Sequence, residues 1–142
     1  MDTAELSSSL RSIVSAIHKG LRKQANSGSA YSMTELDTIG HLYRTPSLYP
    51  SELAGLTRIT TQSMSQILNK MESVGVIKRN PSKEDRRKVR ISLTSLGKKM
   101  VVNYKYEKDE WLKTMIERSL TGKEREILVG ALPVLKKLTE IR

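Results

Sequence analysis

The apolar residues of this chain change their spacing at Gly75, and that change limits the folds open to it. Before Gly75 they recur at helical intervals, with Met64, Ile67, Leu68, Met71 and Val74 forming one stripe. After it, Lys88-Val89-Arg90-Ile91-Ser92-Leu93 alternates strictly. Val89, Ile91 and Leu93 turn to one side and Lys88, Arg90 and Ser92 to the other, the pattern of a half-buried strand. Val76-Ile77 begins an earlier strand that ends at Arg79-Asn80. The loop between the strands, Asn80-Pro81-Ser82-Lys83-Glu84-Asp85-Arg86-Arg87, is longer than the usual hairpin connection of about two to five residues. Its far end carries Glu84, Asp85, Arg86 and Arg87, so it is expected to protrude as a charged finger.

The rest of the chain reads as helices on either side of this stretch. Leu6, Leu10, Ile13, Val14, Ile17 and Leu21 line one face of a helix from about Thr3 to Gln24. Little neighbouring chain is available to bury that face, so it is read as an interface helix. Asn26-Ser27-Gly28-Ser29 is a turn cluster. Ser32-Met33-Thr34-Glu35 is a capping box that opens a second helix, with Met33, Leu36, Ile39, Leu42 and Tyr43 expected inward. Arg44-Thr45-Pro46 ends it, because the residue before proline disfavours helical backbone. Leu48-Tyr49 suits a short edge strand. Ser51 to Leu56 is a third, short helix expected to bury Leu53 and Leu56. Thr60 is the expected N-cap of a fourth helix, Thr61 to Val74. A fifth helix, capped by Thr94 or Ser95, is expected to run to about Arg118. A second capping box, Thr121-Gly122-Lys123-Glu124, opens a sixth. The sixth carries Ile127, Leu128, Leu132, Leu135, Leu138 and Ile141 inward, with a kink expected at Pro133.

The outer face of the fourth helix presents Thr61, Gln62, Ser65, Gln66, Asn69, Lys70 and Ser73. Such a face is either an ordinary solvated surface or a reader of bases, since Asn and Gln can bond adenine bidentately. Charge bears on the choice. The chain carries 25 Lys+Arg against 15 Asp+Glu, a net charge of +10. From Thr57 to Arg90 there are nine basic and three acidic residues, so +6 of that charge falls in one stretch. A localised basic patch coinciding with a helix and a finger is the footprint of a phosphate-binding surface.

Other chemistries lack their residues. There is no Cys, which removes disulfides, thiolate metal sites and cysteine nucleophiles. His18 and His41 stand in no recognisable motif, so no enzyme activity, metal site or cofactor is expected. No apolar run approaches the ~18 residues of a membrane span. The amino end lacks the basic and apolar regions of a signal peptide, so the chain is expected to be cytoplasmic.

The chain resembles the MarR family of bacterial transcription regulators. The likeness rests on Glu52-Leu53-Ala54, Ser65, Leu68 to Met71 and Glu72-Ser73-Val74-Gly75-Val76-Ile77-Lys78-Arg79. Above all it rests on Asp85-Arg86-Arg87-Lys88-Val89-Arg90-Ile91-Ser92-Leu93-Thr94 with Gly97. It implies a mainly α fold with a small β-hairpin wing, that is, a winged helix-turn-helix plus a helical dimerisation region. Residues 32–94 would form the DNA-binding part, and residues 1–31 and 95–142 the dimerisation part. It also implies an obligate homodimer on double-stranded DNA, at a pseudo-palindromic operator with half-sites ~34–36 Å apart. Release by a small phenolic or drug-like ligand is implied as well.

Carried over residue by residue, the likeness makes Arg87 the side chain that enters the minor groove and Asp85 the acid that orients it. Arg86 would touch a phosphate, and Lys70, Lys88 and Arg90 would hold others. Thr60, Thr61, Gln62, Ser63, Ser65, Gln66 and Asn69 complete the expected DNA-facing set, with Ser65 and Gln66 foremost. Gln66 departs from the Arg usual at its position, which leaves either a shift of base preference toward adenine or a lower affinity. The expected ligand walls are Ile17, Leu21, Leu36, Ile39, Tyr43 and Tyr104. A competing reading is a nucleoid-type architectural protein that coats DNA with little sequence preference.

Overall fold

A computed structural model describes residues 1–25 and 30–140. The order is α1 (Thr3–Gln24), α2 (Met33–Arg44), α3 (Pro50–Thr57), α4 (Thr61–Ser73), β1 (Ile77–Pro81), β2 (Val89–Leu93), α5 (Ser95–Ser119) and α6 (Gly122–Lys137). The expected turn cluster Asn26–Ser29 and the expected inward Ile141 lie outside the described residues.

Side chains set most of the helix starts. The capping boxes of Ser32 with Glu35 and of Thr121 with Glu124 both form, and Thr60 caps α4 as expected. Asp2 and Glu5 make a further box at α1. Thr94 caps α5, and its hydroxyl also donates to the Gly75 carbonyl at 2.6 Å. Each cap satisfies backbone N–H groups that a helix start leaves open, worth about 1 kcal/mol. Gly75 has φ +83°, the left-handed backbone that stops α4 and turns the chain into β1.

The two strands pair antiparallel, Ile77 opposite Leu93 and Pro81 opposite Val89. The strands are offset slightly from expectation: the Val76 N–H bonds back to the Met71 carbonyl at 3.0 Å, while its carbonyl accepts the Thr94 N–H just beyond the last ladder pair. Leu48 forms a bridge with Ile91, so the α2–α3 connection is stitched to the hairpin through bonds of 2.8 and 3.0 Å. Under this frame lies one core, in which Ile39, Leu53, Met64, Leu68, Met71 and Ile91 are almost wholly buried. Each such side chain contributes about 1.5–3 kcal/mol by leaving water. The core thus fixes α2, α3, α4 and the hairpin as one unit.

Four expected inward residues of α2 to α4 are exposed instead. Leu56 is 52% exposed. Leu53 and Ala54 set the buried face of α3, and Leu56 lies roughly 110° from its middle at about 100° per residue. Thr57 sits nearer that face, its hydroxyl on the Leu53 carbonyl at 2.7 Å. Val74 is exposed because α4 ends at Ser73 and Val74 is already its C-cap. Met33 and Tyr43 are also exposed, and both border a cavity described below. Among the described residues, α1 and α6 bury no side chain fully, and Leu6, Ile13, Val14, Ile127, Leu132 and Leu138 stand more than half exposed. No described helix is long and apolar enough to cross a membrane.

Candidate nucleic-acid interface

Three features meet on one side of the core: α4, the wing loop over residues 82–88, and the strand residues at the wing's base. Met64, Leu68 and Met71 anchor α4, and the same helical period turns Thr61, Gln62, Ser63, Ser65 and Gln66 to solvent. Thr60 and Ser63 are tied together, since Thr60 Oγ1 accepts the Ser63 N–H at 3.0 Å and donates to Ser63 Oγ at 2.9 Å.

Two residues expected to face DNA are engaged inside the protein. Asn69 Oδ1 accepts from Arg79 Nη2 at 2.8 Å, and Arg79 Nε also donates to Glu72 at 3.2 Å. Lys70 Nζ lies 2.9 Å from both carboxylate oxygens of Glu35. Burial pushes the Glu35 carboxyl up, but the Ser32 N–H and the bond and charge of Lys70 together outweigh that and leave it below its ordinary 4.5. With a lowered folded pKa, the pair adds stability above the unfolded value and loses it as pH falls through the folded one. Glu35→Gln should therefore destabilise at neutral pH, and the gap from wild type should close as pH falls below 4.5. Urea midpoints across that range check this, and a gap independent of pH would contradict it.

The wing is closed by the Ser82 N–H on the Lys88 carbonyl and the Lys88 N–H on the Asp85 carbonyl, each at 2.9 Å. At its tip Asp85 Oδ1 accepts the Arg87 N–H at 3.0 Å and Arg87 Nε at 3.2 Å, so the expected pair forms. The Arg87 hydrogen bonds hold the Asp85 carboxyl below its ordinary value. The Arg87 side chain is nevertheless 91% exposed, a cation aimed by a neighbour but open to solvent. Arg86 and Lys88 are exposed beside it.

Arg90 is half-buried: it bonds Ser47 Oγ at 3.1 Å and stacks on Tyr49, its guanidinium carbon 4.4 Å from the ring centre. Tyr49 OH shares a 2.7 Å hydrogen bond with the buried Ser82 Oγ, on which the Glu84 and Asp85 N–H groups converge. Tyr49 and Ser82 therefore root the wing, and sequence reading missed both. Their separation of 33 residues leaves no periodic signal, though the Ser-x-x-Asp spacing after Pro81 marks a turn.

Behind this surface a cavity of about 580 Å³ opens between α1, α2 and α5. Leu36, Ile39, Tyr43 and Tyr104 line it as expected, whereas Ile17 and Leu21 do not. Met33, Met100 and Val101 add to its apolar lining, and His18, Asp37, Arg44, Lys105 and Lys108 to its polar lining. Burial raises the Tyr104 hydroxyl above its ordinary value, against the opposing charge of Arg22.

A sequence model of the MarR family matches residues 31–88. An uncharacterized HTH-type transcriptional regulator of Mycobacterium bovis is 27% identical over 137 residues, covering 96% of this chain and 94% of the relative. The crystal structure of a putative transcriptional regulator from Pseudomonas aeruginosa superposes with a TM-score of 0.86 at 26% identity, covering 98% and 97% of the two chains. The fold is shared with a mutant of MepR from S. aureus bound to an oligodeoxyribonucleotide, with a TM-score of 0.73 at 22% identity over 95% of this chain and 98% of that one.

Proposed function

Because this chain belongs to the MarR family of DNA-binding transcription regulators, we propose that it acts as a homodimer on a pseudo-palindromic operator. Residues 32–94 would contact DNA, and residues 1–31 and 95–142 would pair the two copies. The observation that carries this reading is Arg87. Its guanidinium is oriented by Asp85 yet almost fully exposed, at the tip of a wing beside a helix whose outer Gln62 and Gln66 are also free. A cation preset in solvent gains little for the fold, since exposed pairs are worth about 0–1 kcal/mol. It suits a narrow minor groove, where potential is most negative.

Exposed apolar surface supports the dimer. In one copy Leu6, Ile13 and Val14 of α1 and Ile127 and Leu132 of α6 are more than half exposed, and a two-fold partner would bury them. The cavity beside α2, lined by apolar side chains and by more basic than acidic ones, would take a small effector such as a phenol, whose binding would release DNA. Single substitutions separate base reading from phosphate holding. Gln66→Ala should relax preference at one position per half-site, at a cost of about 1–3 kcal/mol. Lys88→Ala should weaken binding to every sequence alike and lower the salt slope by about one. Titrations of operator variants over a salt series check both, and a Gln66→Ala protein with unchanged preference at every position would remove Gln66 from the reading set.

A further inference from the structure

Lys70 sits on the flank of α4, where a phosphate contact is the expected role for a basic residue. We propose instead that Lys70 is a positioning residue, which acts through Glu35 to fix the attitude at which α4 meets bases. The inference rests on the reading of α4 as the base-contacting helix. The Lys70 ammonium is 2.9 Å from both Glu35 oxygens, 3.5 Å from the Ala30 carbonyl and 5.6 Å from the centre of the Tyr31 ring. Its three donors thus have three acceptors within the protein. Glu35 is only 6% exposed, and its carboxylate also accepts the Ser32 N–H at 2.8 Å, so it is fixed to the first turn of α2. For Lys70 to leave for a phosphate, a nearly buried carboxylate would lose its countercharge, which is costly.

Geometry explains why this pair matters more than its share of stability. α2 and α4 also share the apolar core, to which Ile39 and Leu42 belong from one helix and Met64, Leu68 and Met71 from the other. Apolar burial selects which face of α4 turns inward but is itself non-directional. An ion pair to a carboxylate anchored on another helix is directional. On the opposite flank Arg79 grips Asn69 and Glu72 in the same manner. α4 is therefore braced on both sides, and Gln62 and Gln66 are presented between the braces.

The test uses a duplex selected from random DNA by the wild-type protein, with unselected DNA as reference, in fluorescence-anisotropy titrations over a salt series. Lys70→Gln should lower the ratio of affinities for selected over random DNA by about tenfold, within the coupling range of contacting pairs, and leave the salt slope unchanged. Glu35→Gln should lower it similarly, although removing a negative charge would by Coulomb attraction alone tighten DNA binding. The reversed pair, Glu35→Lys with Lys70→Glu, should restore part of the ratio, which a merely destabilised fold would not do. A Lys70→Gln protein that loses equally on both DNAs with a slope lower by about one would overturn the proposal. So would a Glu35→Gln protein that binds the selected duplex as well as wild type. A wild type without any preference would instead fail the operator reading, and this inference with it.

Discussion

Arg87→Ala should reduce operator affinity by about a thousandfold and leave the dimer intact. The figure assumes about 2 kcal/mol for each lost arginine contact and two wings per operator. The loss should exceed that of Arg86→Ala, although the two residues are adjacent and carry the same charge. Among the described residues Arg86 has no orienting bond, whereas the Arg87 backbone N–H and Nε both rest on Asp85 Oδ1. Asp85→Asn should for the same reason weaken binding even though it removes a negative charge from the DNA-facing side. Gel-shift titration at physiological salt measures affinity, and sedimentation measures the dimer. Equal binding by wild type and Arg87→Ala would remove the wing from the account.

Gly97→Ala should be the most destabilising glycine-to-alanine change among the described glycines. A Cβ built at Gly97 would overlap the Val76 carbonyl oxygen and stand 3.1 Å from Leu93 Cδ2. The carbonyl cannot swing away, because it accepts the Thr94 N–H at 3.1 Å, and Thr94 in turn caps α5 and bonds Gly75. Overpacking usually costs about 1–3 kcal/mol, and a backbone obstacle places this case at about 3 kcal/mol or more. Thermal unfolding should fall by about 10 °C at equal protein concentration. Gly122→Ala is the control: nothing lies within 4 Å of a Cβ there, and it sits in the first turn of α6, where alanine is favourable. Equal melting of the two variants would mean that the α5–hairpin junction is looser than its contacts indicate.

The parts of this molecule that were legible in the sequence depend on short-range chemistry. Capping at Ser32, Thr60 and Thr121, the stop at Gly75, the alternation of Val89, Ile91 and Leu93, and the Asp85–Arg87 pair all involve residues two to four apart or a simple period. The braces of α4 were not legible, because Lys70 and Glu35 are 35 residues apart and Glu35 already had a local role in its capping box. The same reason hid Tyr49 beneath the wing. Three expected DNA contacts, Asn69, Lys70 and Arg90, have protein partners that only folding supplies. Charge alone could not sort Lys70 and Arg90 from the exposed cations of the wing, since a cation on a strand or helix flank looks the same whether it faces phosphate or a protein group.

In the proposed function, a wing and a braced helix, duplicated by a two-fold axis, read a defined sequence. Selection of duplexes from random DNA by the purified protein, followed by competition between selected and random DNA at physiological salt, tests it most directly. The account predicts a preference of at least ~10³, and inverted half-sites whose centres lie about one helical turn apart, ~34–36 Å. A preference below ~10³ with no repeated half-site would contradict it, and would identify instead a protein that coats DNA through charge.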